Sequence, residues 1–150
     1  YRKQFLDSHV KVELDTIGLK EAGISKNKGD NIYIEPHILS EIFMNIIDNA
    51  KRHGFQDKSE KKYEVRFVLA PTELSRKQPG ISIKIANNGT PFHPSMDAAK
   101  FFTWGEGLHS GIGGWDIKNR TERMGGEIAL HLDAQNEYPV VLELKFEQVM

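Results

Sequence analysis

Four polar residues recur at three- and four-residue steps in the stretch 38–54, ILSEIFMNIIDNAKRHG: Glu41, Asn45, Asn49 and Arg52. On a helix that spacing sets them in one narrow stripe. A carboxylate and two carboxamides supply hard oxygen donors of the kind that suit Mg²⁺. Arg52 stands about one turn beyond Asn49, within reach of a phosphate oxygen that the same ion touches. Taken singly, each asparagine also fits a solvated helix face. Two later stretches carry the same sort of chemistry. Asn87-Asn88-Gly89 follows the alternating segment Ile81–Ala86. Asn87 therefore projects from a strand end, and Gly89 lets backbone approach a flat ligand closely. Asn-Gly is equally the strongest short turn signal. Gly111-Ile112-Gly113-Gly114 opens a helical pattern. Its backbone N–H groups and the positive end of the helix favour phosphate, although a short glycine cluster also serves as a hinge. Neither a Walker-type loop nor a dinucleotide fingerprint is present.

The elements that must position these residues follow from periodicity. Ile38, Leu39, Ile42, Phe43, Ile46, Ile47 and Ala50 share the broad apolar side of the first helix. Pro36 suits its first turn, Glu35 is pushed towards extended geometry, and Gly54 reads as the residue just past its end. Strand patterns cover His9–Leu14, Asn31–Ile34, Tyr63–Leu69, Ile81–Ala86, Glu127–Leu132 and Val140–Phe146. Gly113–Met124 reads as a second helix, closed by Gly125-Gly126. Between them lie loops at 15–30 and 56–62, a connection at 71–80 and a long Gly-rich loop at 87–114. A loop of that length in a compact domain is usually functional or mobile. Strands and helices do not alternate strictly. The expected fold is therefore α+β: a two-layer α/β sandwich, with a mixed, mostly antiparallel sheet and helices on one face.

The chain has 150 residues and a net charge of −1. That fits one domain over 9–150, with 1–8 as a linker or the tail of a preceding helix. The mixed charge gives no sign of a nucleic-acid surface or a polybasic membrane patch. There is no cysteine, so disulfides and thiolate chemistry are excluded. No apolar run approaches the roughly 20 residues that span a bilayer. The chain opens on Tyr1 rather than Met, which reads as a piece of something longer; a cytoplasmic setting is expected, with any membrane anchor lying elsewhere.

In order and spacing, the motifs resemble the GHKL ATPase superfamily, and within it the ATP-binding domain of sensor histidine kinases. EIFMNIIDNAKRHG is similar to the N box, IANNGTPF to the first glycine box, KFFTWG to the F box, and HSGIGGWDIKNRTERMGGEI to the second glycine box with its helix and strand. The resemblance spans about residues 31–146 and implies the family's layered sandwich, the Bergerat fold, with ATP and Mg²⁺ as ligands. It makes Asn49 the Mg²⁺ ligand and sets Asn45 beside the ion. Arg52 would touch phosphate in place of the usual Lys, and His53 would lie against the adenine. Asn87, Gly89 and Thr103 would border the nucleotide, with His109, Ser110, Gly111, Ile112 and Gly113 at its phosphates. Residues 92–110 would form the lid, Phe101 and Phe102 within it. The sequence departs from the family at Asn87 (usually Asp), Pro91 (usually Gly), His109 (usually Gly) and Gly114 (usually Leu). An Asn amide can accept or donate, whereas an ionised Asp only accepts, so Asn87 weakens the basis for choosing adenine.

The same resemblance separates two activities. Hydrolysing GHKL ATPases, such as the topoisomerase, chaperone and mismatch-repair enzymes, carry a Glu four residues before the Mg-binding Asn. That position is Asn45, and an amide is no general base. Phosphoryl transfer to an imidazole needs no such base, because positioning and Mg²⁺ supply most of the catalysis. A protein-histidine kinase module of a two-component system is therefore implied, with Glu41 and Asn45 as its catalytic pair. A hydrolysing ATPase and a catalytically degenerate nucleotide-binding or interaction module are the alternatives. None of His9, His37, His53, His93, His109 or His131 is followed by Glu or Asp, as the family's acceptor motif requires. The expected partners are an upstream dimerisation and phosphoacceptor domain and a response regulator. The fragment would be a monomer and the full-length protein a homodimer.

Overall fold

A computed structural model describes residues 10–17, 31–32, 34–55, 63–106 and 113–149. The sheet consists of β1 (Val10–Asp15), β2 (Asn31–Ile32), β3 (Tyr63–Glu73), β4 (Pro79–Asn87), β5 (Glu127–Leu132) and β6 (Val140–Val149). Among the described residues the helices are α1 (Pro36–Asn49), which continues as a π-helical turn over Ala50–Gly54, α2 (Ala98–Phe102) and α3 (Gly113–Arg123). The sheet order is β1-β3-β4-β6-β2, with β5 also paired to β6. Among the described residues only β1 and β3 run parallel, Val10 opposite Tyr63 and Asp15 opposite Val68; the other pairings are antiparallel. A parallel pair needs a long crossover, and α1 lies within the chain that makes it.

The expected sandwich is therefore present, and alternation explains its two faces. Val65 of β3, Ile83 and Ile85 of β4, and Leu142, Leu144 and Phe146 of β6 are all buried on the helix side. They meet Ile42, Ile46 and Ile47 of α1, Ile117 of α3 and Phe101 of α2 in one core. The opposite face of the sheet is polar. Glu143 there accepts a hydrogen bond from Ser82 Oγ at 2.6 Å, bonds His131 Nε2 at 3.1 Å and stands in register with Lys84.

Several boundaries differ from the sequence-based expectation. β3 runs on through Pro71 to Glu73 and β4 starts at Pro79, so the connection is a short hairpin turn over 74–78 rather than 71–80. The 87–114 stretch holds a helical turn, α2, whose N-cap Asp97 accepts from Lys100 N at 2.8 Å. The chain does not leave the helix before Gly54. It widens into the π turn and ends at Phe55. The second strand covers Asn31–Ile32 only. The expectations for residues 1–8, His9 and Tyr33, and for most of the loops at 15–30 and 56–62, lie outside the described residues.

Candidate functional site

α1 begins where Pro36 meets Glu35 in extended geometry, and it lies against α3. Its polar stripe faces that helix. Asn45 Nδ2 donates to Asp116 Oδ2 at 2.8 Å. Asp116 Oδ2 also accepts from Arg120 Nε at 2.9 Å, and Arg120 Nη1 is ion-paired with Glu41. Glu41, Arg120, Asp116 and Asn45 thus form one chain of polar contacts across the two helices. One turn further along α1, Asn49 meets the start of α3. A Cβ placed on Gly113 would stand 3.3 Å from Asn49 Nδ2 and 3.5 Å from its Oδ1.

The far wall comes from the end of β4. Gly89 lies so close to Gly54 that a Cβ on Gly89 would meet the Gly54 Cα, carbonyl carbon and oxygen at 2.7 Å. Thr90 N donates to Gly54 O at 2.9 Å. This backbone contact fastens the strand end to the π turn. Asn88 secures the other side, its Oδ1 accepting from Glu64 N at 2.7 Å. Asn87 is left at the cavity wall, 9% exposed, its Oδ1 accepting from Gly89 N at 3.1 Å.

A cavity of about 20 Å³ lies between these groups, lined by Ile46, Asn49, Ala50, Gly54, Ile85, Asn87, Thr90, Phe92, Phe101, Val140 and Leu142. That is room for about one water, so a larger ring enters only if the walls part. Phe92 and Phe101 form one wall, stacked at 5.8 Å between centroids. Phe101 is held from behind by Gly114, where a Cβ would stand 2.0 Å from the Phe101 carbonyl oxygen. The Gly that replaces the usual Leu is thus what admits this contact.

The structure brings Asn49 and Asn87 to one cavity, with Gly113 against Asn49, Gly89 against Gly54 and Asn45 one turn away. It does not bring Arg52, His53 or Thr103 to the cavity. Arg52 Nε pairs with Asp48 Oδ2 at 3.1 Å on an exposed side. The π turn re-aims the residues after Asn49, which a regular helix would have carried along the stripe. His53 is half-buried and is not among the cavity residues. Thr103 Oγ1 donates to Ala99 O at 2.6 Å. It borders a separate groove of about 500 Å³ between α2, α3 and β5. His109, Ser110, Gly111 and Ile112 lie outside the described residues. Sequence reasoning missed Asp116 and Arg120. Their four-residue spacing was visible, but it reads as an ordinary helix-surface ion pair.

The donor set fits a hard cation only with help. Among the described residues, no group of three or more His, Cys, Asp or Glu could hold a metal ion. Asn45 spends its Nδ2 on Asp116, which leaves an amide oxygen, and Asn49 adds another. A divalent ion at this place would draw most of its remaining oxygens from a phosphate ligand and water.

No protein-family model and no curated protein matches the chain. Solved structures do. The mycobacterial sensor histidine kinase MprB aligns with 99% of this chain and 89% of its own at TM-score 0.65 and 16% identity. The catalytic domain of the histidine kinase ThkA aligns over 98% and 84%, at 0.64 and 12%. Full-length ShkA in complex with AMPPNP aligns over 93% of this chain and 25% of its own, at 0.54 and 16%. The chain has the fold of these histidine-kinase catalytic domains. Among the described residues, no helix is long and apolar enough to cross a membrane.

Proposed function

We propose that this chain is the nucleotide-binding catalytic module of a sensor histidine kinase. It binds a magnesium nucleoside triphosphate, ATP by the resemblance, and gives the γ-phosphoryl to a histidine on another domain. The observation that carries this reading is the meeting of Asn49 and Asn87 at one cavity, with Gly113 set against Asn49, within a fold shared with histidine-kinase catalytic domains. Bound Mg²⁺ would neutralise charge on the transferring phosphoryl group. Asn49 and Asn45 would hold it through their amide oxygens. Asn87 would meet the base, and the opening turn of α3 would offer its N–H groups to phosphate. Arg52 would have to leave Asp48 to join them. Phe92 and Phe101 would swing aside to admit the base and then exclude water. The acceptor domain, the response regulator and a cytoplasmic homodimer belong to the same reading.

Hydrolysis is expected to be slow. Asn45 is no base, and Glu41 is tied to Arg120. Calorimetric titration with a non-hydrolysable ATP analogue, with and without Mg²⁺, tests the reading. Mg²⁺-dependent binding that is lost in Asn49→Ala supports it; no binding at millimolar nucleotide sinks it. A second reading, a non-catalytic nucleotide sensor, draws on the commitments of Asn45 to Asp116 and Arg52 to Asp48. Labelled ATP separates the two. The catalytic reading requires phosphate transfer to a supplied histidine-bearing domain and none to this chain alone.

A further inference from the structure

β1 is an edge of the sheet. Among the described residues it pairs with β3 alone, so about half of its N–H and C=O groups point away from the sheet with no strand to meet them. The stretch VKVELD holds no Pro or Gly to interrupt a second ladder. Asp15 closes it, its Oδ1 accepting from Ile17 N at 3.0 Å. Asp15 Oδ2 accepts from Arg66 Nη2 at 3.1 Å, which sets residue 15 on the polar outer face and commits its charge within the chain. Positions 11 and 13, a Lys and a Glu, share its parity, and the apolar positions 10, 12 and 14 share the other. Leu14 stands in register with Phe67, which packs against the core, yet Leu14 itself is 66% exposed. The helix layer thus stops short of this edge and leaves an apolar side chain outside it.

We infer that β1 is a docking edge for a second copy of this chain, the two β1 strands pairing antiparallel about a two-fold axis so that the sheets join. Such a contact requires a strand that is complementary to itself, and VKVELD is so in one register. With Val12 on the axis, Lys11 stands opposite the partner's Glu13, Glu13 opposite the partner's Lys11, and Val10 and Leu14 opposite each other. Apolar then meets apolar on one face, and opposite charges meet on the other. Sliding by two residues one way sets Lys11 against its own copy. Sliding the other way sets Glu13 against its own copy and calls on Asp15, which Arg66 already holds. Sliding by one residue puts apolar positions opposite polar ones. The favoured register also covers Leu14. A ladder of six residues a side is a small contact, so the association is weak and concentration-dependent. The inference does not rest on the nucleotide-binding reading, and it places a contact between copies where the sequence suggests a monomer.

Sedimentation equilibrium from micromolar to millimolar chain tests it. The parent should pass from monomer to dimer. Lys11→Glu sets like charges opposite each other twice across the axis and should weaken the dimer about tenfold or more, as should Glu13→Lys. The double variant Lys11→Glu/Glu13→Lys restores both pairs and should return to within about threefold of the parent. Val12→Cys gives a second readout, because the chain has no cysteine of its own. Directly opposite residues of an antiparallel pair have Cα atoms about 4.5–5.5 Å apart, within the reach of a disulfide. Mild oxidation should therefore link Val12→Cys into a covalent dimer and leave Gln135→Cys, on the exposed β5–β6 turn, unlinked. A parent that stays monomeric at millimolar concentration would overturn the inference. So would a dimer that Lys11→Glu leaves unchanged, or one that the double variant fails to restore, since the contact would then lie on another face. If a charge variant does not fold, by circular dichroism, the disulfide yield of Val12→Cys against Gln135→Cys decides, and equal yields would overturn the inference.

Discussion

Gly89→Ala tests the contact on which the site is built. The added Cβ would meet three backbone atoms of Gly54 at 2.7 Å. Ordinary contact begins at 3.4 Å, so the two segments must part by roughly 0.7 Å, and backbone cannot rotate out of the way as a side chain can. Parting strains the Thr90 N to Gly54 O bond, now 2.9 Å, and tilts Asn87 against the π turn. Overpacking of this kind costs about 2 kcal/mol, which lowers the melting temperature of a chain this size by about 4–8 °C. Gly125→Asn is the control. Gly125 has φ +77° and nothing within 4 Å of its Cβ position, and Asn tolerates that conformation. Thermal melts by circular dichroism compare the two, and nucleotide titration of Gly89→Ala should show weakened binding even where the protein is folded. A Gly89→Ala melt within 1 °C of the parent (about 0.3–0.5 kcal/mol) would refute the claim that this approach of two glycines sets the site.

Three further outcomes follow from the geometry. Asp116→Ala removes the acceptor of Asn45 Nδ2 and a partner of Arg120. It should lower stability by about 1 kcal/mol and weaken Mg²⁺-dependent binding, and a variant matching the parent in both would show that the link between α1 and α3 is idle. Glu143 titrates below the ordinary carboxylate range. Burial pushes it up, but the hydrogen bonds from Ser82 and His131 and the charges of Lys145 and Lys84 outweigh that. Its stabilising contribution is complete above about pH 4.5 and is lost as pH falls through its lowered value. Ser82→Ala should therefore move the acid-unfolding midpoint to higher pH, and an unshifted midpoint would contradict the assignment. Trp104 is 60% exposed and meets Trp115 edge-on at 4.6 Å, between the α2 segment and α3. Nucleotide should change tryptophan emission in the parent and leave it flat in Asn49→Ala; a silent parent would mean that this segment does not move.

The sequence showed most where one physical signal acted alone. Alternation in ISIKIA and VVLELKF set two strands and their inward faces, and Pro36 with the 3.6-residue period set α1. The polar stripe was legible as far as Asn49. Beyond it periodicity no longer gives the side-chain directions, because a π turn leaves no mark in residue types that periodicity can detect. Gly54 looked like a helix terminator, yet its missing side chain serves the approach of Gly89, a contact between residues far apart in sequence. Pro71 hid the length of β3. A proline breaks a ladder only on the side where its nitrogen points, and beyond Val68 β3 pairs with β4 alone among the described residues. The Asn45–Asp116 bond was invisible for another reason: each residue alone looks like helix surface, and only the packing of α1 on α3 joins them. The orientation of Asn87 likewise depends on a bond that residue types do not announce.

The wide turn at Ala50–Gly54 has an evolutionary and practical corollary. It spends one residue more than a regular coil of the helix would. Excising Lys51 would let the backbone close at ordinary pitch, four regular residues covering the span of five wide ones. Gly54 would then stay opposite Gly89, and only the side chains between it and Asn49 would be re-aimed. The segment should accordingly bear the loss of that one residue better than the gain of another.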